Sequence, residues 1–281
     1  VLPLIRLERV LLTVALLEER SGSPIEAEGL LEAAWSLDRS IAGRPDMMSQ
    51  IIATANGRYM AGALRKMKEP SVAWMSRFAG DEPWGLVLDA FANEPRWGRP
   101  RGMEPEPLPG SFSAVHARAW AAAADRLRKI SPCEASKLSA DEIWRPAAEE
   151  FKKYRDPGAE AAADIFKEMT LPNLTETLRK ATRLLIDREL TLKILQLRLE
   201  KAGSRDGRWP KKLLDDGSAI CPGASYRYRA ADGGMEIRFE GTVDAPGSGL
   251  VLPLSFATGS LRPTPRPVET PQPAATPAEP P

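Results

Sequence analysis

Apolar positions recur along this chain in two rhythms. Leu174, Leu178, Ala181, Leu185, Leu192, Leu195 and Leu199 follow a 4-3-4 spacing, with Arg188 in one of the apolar slots. That spacing lines them along one stripe of a helix. Leu190, Ile194 and Leu197 widen the stripe beyond a coiled-coil seam. The pattern predicts a helix opened by Pro172 and running to about Lys201, roughly 43 Å long at ~1.5 Å per residue, with Gly203 as its terminator. A helix that long needs a partner surface, because helical stability comes mostly from packing. After Trp209-Pro210 the period drops to 2. Tyr226, Tyr228 and Ala230 alternate with charged residues, Ala231-Asp232-Gly233-Gly234 is a hairpin signal, and Met235, Ile237 and Phe239 alternate on the return. Leu250 to Phe256 is a candidate third strand, restricted to a sheet edge by Pro253.

Upstream, the helical rhythm predicts a series of shorter helices. The first covers Leu4 to Arg20. The second begins at a Ser23/Glu26 capping box with Pro24 in the first turn and reaches Ile41, and the third starts at Pro45. Short helices follow, from Glu69-Pro70 to Phe78 and from Trp84 to Phe91. Residues Asn93 to Gly110 read as a long loop, and Ser111 to Ile130 as an Ala-rich helix. Capping boxes at Ser131/Glu134 and Ser139/Glu142 precede a helix from Trp144 to Tyr154, and Asp156-Pro157 opens another through Met169. No repeat period links these helices, so they predict an irregular bundle. From Gly259 the chain is Pro-rich, with no large apolar residue after Val268, and reads as a disordered tail. The organisation expected is a helical region over 1–170, a long helix with a small antiparallel α+β module over 171–258, and the tail over 259–281.

Charge changes the picture little. The net charge is +1 in 281 residues, which argues against nucleic-acid binding through a highly basic surface. The apolar run Val1 to Leu17 is broken by Arg6, Glu8 and Arg9, so it does not span a bilayer and reads as amphipathic. The chain begins at Val1, so an upstream signal or membrane anchor stays open. Cys133 and Cys221 stand either as two free thiols or as a bridge between the helical region and the C-terminal module.

Candidate chemistry is sparse. His116 is the single histidine, sits in an Ala-rich helix and reads as structural. Adjacent acidic pairs, such as Glu149-Glu150 and Asp215-Asp216, point in different directions and read as solvated faces. The donors present make no ordinary zinc site, and no cofactor is expected. The tryptophans read mainly as core. Trp97, flanked by Arg96 and Arg99 in the Pro-rich loop, is the preferred contact for a protein partner, with arginine stacking available.

One stretch carries a resemblance. A long helix, then Asp206-Gly207-Arg208-Trp209-Pro210, a leucine at Leu213, and Tyr226-Arg227-Tyr228 before a strand resembles the C-terminal module of the major pseudopilins of type II secretion. The same module recurs in a group of uncharacterised bacterial envelope proteins with a helical N-terminal region, to which Leu30 to Met67 is similar. The resemblance makes Gly207, Trp209, Pro210, Tyr226 and Tyr228 structural motif residues. It also implies a periplasmic or membrane-anchored location, with the cytoplasm as the alternative. A pseudopilin places its long helix at the N-terminus, whereas this one is internal, so assembly into a pilus is not carried over. Major pseudopilins hold calcium in a C-terminal loop. Here 241–249 supplies one carboxylate, Asp244, so a plain connection is expected. The expected function is that of a non-enzymatic cell-envelope protein acting as a structural and protein-interaction module. The alternatives are a hydrolase or glycan-active enzyme joining carboxylates such as Glu149 and Glu176, and a cytosolic helical adaptor.

Overall fold

The structure, a computed structural model, describes residues 2–68, 72–80, 82–97, 110–153, 157–231, 233–243 and 254–259, with backbone alone at 2, 94–97, 110–116 and 157–173. It is mainly helical and ends in a small antiparallel sheet. Helices α1 (Leu2–Ser21), α2 (Pro24–Ala42) and α3 (Met47–Lys66) pack together around Leu12, Ala15, Leu31, Ala34, Met60 and Leu64. Trp74 and Phe78 of α4 (Val72–Gly80) close that core, with Trp35 meeting the Trp74 ring edge-on at 5.9 Å. A second core joins α5 (Pro83–Trp97), α6 (Gly110–Leu127), α7 (Pro132–Lys137) and α8 (Ala140–Lys152). An aromatic chain runs through it, Phe91 to Trp120 at 4.5 Å and Trp120 to Trp144 at 5.5 Å.

Helix α9 (Pro157–Gly203) is one unbroken element of 47 residues, roughly 70 Å long. Leu174, Leu178 and Ala181 enter the second core, while Ile186, Leu190, Ile194 and Leu197 carry the sheet. Strands β1 (Ser225–Ala231), β2 (Gly234–Glu240) and β3 (Ser255–Ala257) lie in that order, with Tyr226 opposite Phe239 and Ile237 opposite Phe256. Burial alternates on β2, where Met235, Ile237 and Phe239 face α9 and Arg238 and Glu240 face out. The third strand is an edge of three residues, Ser255–Ala257; positions 250–253 of the expected strand lie outside the described residues.

Where α9 meets α3 and α4, polar contacts stand beside Leu184. Arg65 donates from Nη1 to Asp187 Oδ1 at 2.7 Å and to Thr191 Oγ1 at 2.8 Å. Arg188, in its apolar slot, is buried. It donates to the Phe78 carbonyl at 2.6 Å and stacks on the Phe78 ring at 4.6 Å. Arg198 donates to the carbonyls of Leu64, Arg65 and Met67, which α3 leaves open at its C-terminus. The helices approach so closely that a Cβ on Gly57 would lie 3.0 Å from Leu184 Cδ1.

Several boundaries differ from expectation. Helix α9 starts at Pro157 and passes through Pro172, so two expected helices are one. Proline breaks an isolated helix, but tertiary context overrides that local preference. A compensation is visible at Pro146 inside α8. Its missing N–H would orphan the Glu142 carbonyl, and Arg126 Nη1 takes that carbonyl at 2.9 Å. Ser23 forms no capping box, because its backbone (φ −106°, ψ 67°) is not in the extended region from which a cap reaches back. Helix α3 starts at Met47 rather than Pro45, capped by Asp46, which accepts from the Ser49 N–H. Helix α5 runs on to Trp97, into the stretch read as loop. Both capping boxes, Ser131/Glu134 and Ser139/Glu142, form as read, and the N–H and hydroxyl donors of the two serines hold both glutamates below the usual carboxylate range. Residues 260–281, the expected tail, lie outside the described residues.

Candidate functional site

Where α3 ends, α9 ends and the turn to the sheet begins, three elements leave a groove of about 740 Å³. Its apolar lining is Met67, Met75, Leu195, Leu199, Ala202 and Trp209, and its cationic lining is Lys66, Lys68, Arg198 and Lys201. Leu195, Leu199 and Ala202 recur at helical spacing, so the distal end of the α9 stripe leaves the core and turns into the groove, with Leu199 43% exposed. A smaller depression of about 360 Å³ adjoins it, sharing Lys201, Gly207 and Trp209 and adding Arg208 and Lys211. The Arg198 guanidinium is largely committed to α3. Burial lowers its pKa, an effect opposed by the negative field of Glu19.

The motif residues come together beside this groove. Gly207 takes φ +62°, a left-handed turn that admits glycine without penalty. It aims Trp209 back at α9, where Lys201 Nζ sits 4.5 Å from the ring centroid. The Pro210 carbonyl accepts from the Tyr228 hydroxyl at 2.9 Å, fastening the turn to β1. Tyr226 works on the other side. Its hydroxyl donates to Glu189 Oε2 at 2.9 Å, and Glu189 also accepts from the Ser218 hydroxyl at 2.6 Å and the Ala219 N–H at 2.7 Å. Burial, then the negative field of Glu189, pushes the Tyr226 hydroxyl well above the ordinary tyrosine range.

Cys133 and Cys221 are joined as a disulfide, Cα to Cα 5.1 Å, so α7 is bonded covalently to the turn before β1. Both cysteines are buried at the edge of the sheet core.

Two features had no place in the sequence reading. Glu8 is fully buried in α1, and neither carboxyl oxygen has a hydrogen-bond partner. Burial, then the negative field of Asp38, pushes its pKa up to about 9, with the neighbouring Asn56 amide pulling it down. The signal was present: Leu4, Glu8, Leu12 and Ala15 share one helical face. The second feature lies on the opposite side of α1. Leu7, Val10, Val14 and Leu17 follow a 3-4-3 spacing, and Leu7, Val10 and Leu17 are 48%, 56% and 56% exposed. Helix α1 therefore carries two apolar faces, one covered by α2 and α3 and one open.

Of the remaining candidates, Arg99 lies outside the described residues. Arg96 and Trp97 are placed only as backbone at the end of α5, and His116 only as backbone in α6. Asp244 and 245–249 also lie outside the described residues. Glu149 and Glu176 are both exposed, and Glu176 is paired with Lys180 at 3.4 Å. Among the described residues no group of three or more His, Cys, Asp or Glu side chains is placed to hold a metal ion, and no helix is long and apolar enough to cross a membrane. No protein-family model, curated protein or solved structure matches the chain.

Proposed function

We propose that this is a non-enzymatic protein of the bacterial cell envelope that acts as a structural and protein-interaction module. The observation that carries the reading is the outward stripe of α1. Apolar side chains at 3-4-3 spacing on a helix already packed by its other face form a short seam of the kind that takes a knob from a second helix. The occupant that fits is an apolar helix of a partner protein. The paired cysteines support an oxidising compartment, where structural disulfides persist. The likeness of the Gly207-to-Tyr228 stretch to pseudopilin modules supports the same location.

The test is photo-crosslinking in the native host, with a benzophenone side chain placed at Val10 or Leu17 and, as control, at Ile25, which is 83% exposed outside the stripe. A discrete adduct from the stripe positions alone, in an envelope fraction whose chain resists thiol alkylation until reduced, is the expected result. Equal labelling from Ile25, or a cytoplasmic chain with two alkylatable thiols, overturns the reading.

A further inference from the structure

We infer that the groove between the end of α3 and Trp209 binds a single-chain amphiphile with an anionic head, a long-chain fatty carboxylate. This goes beyond the interaction reading and does not depend on it, since the groove and the α1 stripe are separate surfaces.

The argument is one of complementarity. The groove's floor is apolar and deformable, with two methionines and two leucines that adapt to a flexible chain. Cations border it at Lys66 and Lys68 on the α3 end, Lys201 on α9 and Lys211 in the adjoining depression. Glu19 accepts from the Lys68 N–H at 2.6 Å and Asp206 pairs with Arg208, but among the described residues no carboxylate lines either space and none is ion-paired with these four lysines. In a chain whose charges nearly cancel, a net-cationic cluster around apolar surface raises the local concentration of anions and favours those with a hydrocarbon body. The size points to a small ligand. The volume of about 740 Å³ lies within the ~300–1,000 Å³ of small-molecule sites. Arg198 is spent on the α3 carbonyls, so the head group falls to the lysines and the hydrocarbon to Leu199, Met75 and the Trp209 side.

The test is calorimetric titration of the full oxidised chain with myristate below its micellar concentration, with neutral monomyristin and an acidic amphipathic peptide in parallel. The expected result is one myristate per chain, with monomyristin bound at least tenfold more weakly and affinity for myristate falling with added salt. Lys66→Glu with Lys68→Glu, both at exposed positions, should weaken binding at least tenfold. Leu199→Asp, also exposed, should abolish it, with both variants melting as the parent does. Equal binding of monomyristin, or unchanged affinity in the two-lysine variant, overturns the assignment. Preference for the peptide over myristate overturns it too, and marks the groove as a protein site.

Discussion

The two faces of α9 hold their neighbours by different means. Toward α3 and α4 the helix sets Asp187, Arg188 and Thr191, all buried, beside Leu184, so hydrogen bonds to side chains and helix-end carbonyls accompany the close packing of Leu184 on Gly57. Toward the sheet it presents Ile186, Leu190, Ile194 and Leu197, and polar contact is concentrated on Glu189 and on Lys193, which donates to the Asp215 carbonyl at 2.8 Å. The difference follows from what each neighbour supplies. Helices α3 and α4 end against α9 with open carbonyls, which arginine satisfies in a fixed fork geometry. A three-stranded sheet is marginal alone and needs a packed face. The polar face fixes where helix ends sit, and the apolar face supplies the burial that keeps a small sheet folded.

The comparison can be broken in four ways. In the bundle, Glu8 is a fully buried acid beside a second acid, Asp38. Its folded pKa of about 9 lies far above the ordinary glutamate value of 4.5. The folded state therefore keeps a proton that the unfolded state releases, and the protein loses stability as pH rises from 4.5 to 9, then levels off. Glu8→Gln removes that slope. Its melting midpoint should match the parent near pH 4.5 and exceed it increasingly to pH 8, a gap of about 3–4 kcal/mol between pH 5 and 8 at ~1.36 kcal/mol per pH unit. A gap independent of pH would show that Glu8 ionises in place.

Reducing the disulfide should cost about 2–4 kcal/mol in urea unfolding. Hydrogen exchange should speed up first in the β1–β2 hairpin and little in α2 and α3. Uniform acceleration would mean that the sheet and bundle are one cooperative unit. On the polar face, Arg65→Met should destabilise by about 1–3 kcal/mol, because Asp187 is left buried without its cation, and Asp187→Leu added to it should restore much of that loss. Additive losses would show that the pair acts independently. The smallest effect is local: Ser139→Ala should cost about 1 kcal/mol through the α8 cap. The same change at Ser23, where no cap bond forms, should cost little; equal losses would contradict the cap geometry.

What the sequence disclosed follows the range over which each feature is determined. Ser131, Ser139, the hairpin at 231–234 and the switch at Trp209-Pro210 depend on a few neighbouring residues, and all appear as read. Pro172 misled as a helix start because a proline's cost inside a helix can be met from elsewhere in a fold, as Arg126 meets that of Pro146 at Glu142. The capping pattern at Ser23 failed because the turn after α1 sets its backbone. The groove was illegible for the same reason. Lys66 and Trp209 lie far apart in sequence, and only the docking of α3 on α9 brings them to one space. The core position of Glu8 was legible from its spacing, but its lack of partners was not, since Asp38 and Asn56 arrive on other helices.

The sulfur link between α7 and the turn before β1 also decides how the molecule would carry tension. It joins positions 88 residues apart, so a pull on the two ends passes across the cystine and leaves α9 unloaded. That shortcut keeps roughly 300 Å of extensible chain in reserve, at ~3.3–3.6 Å per residue. A protein built this way would stretch only to a set limit while oxidised and would lengthen abruptly once reduced.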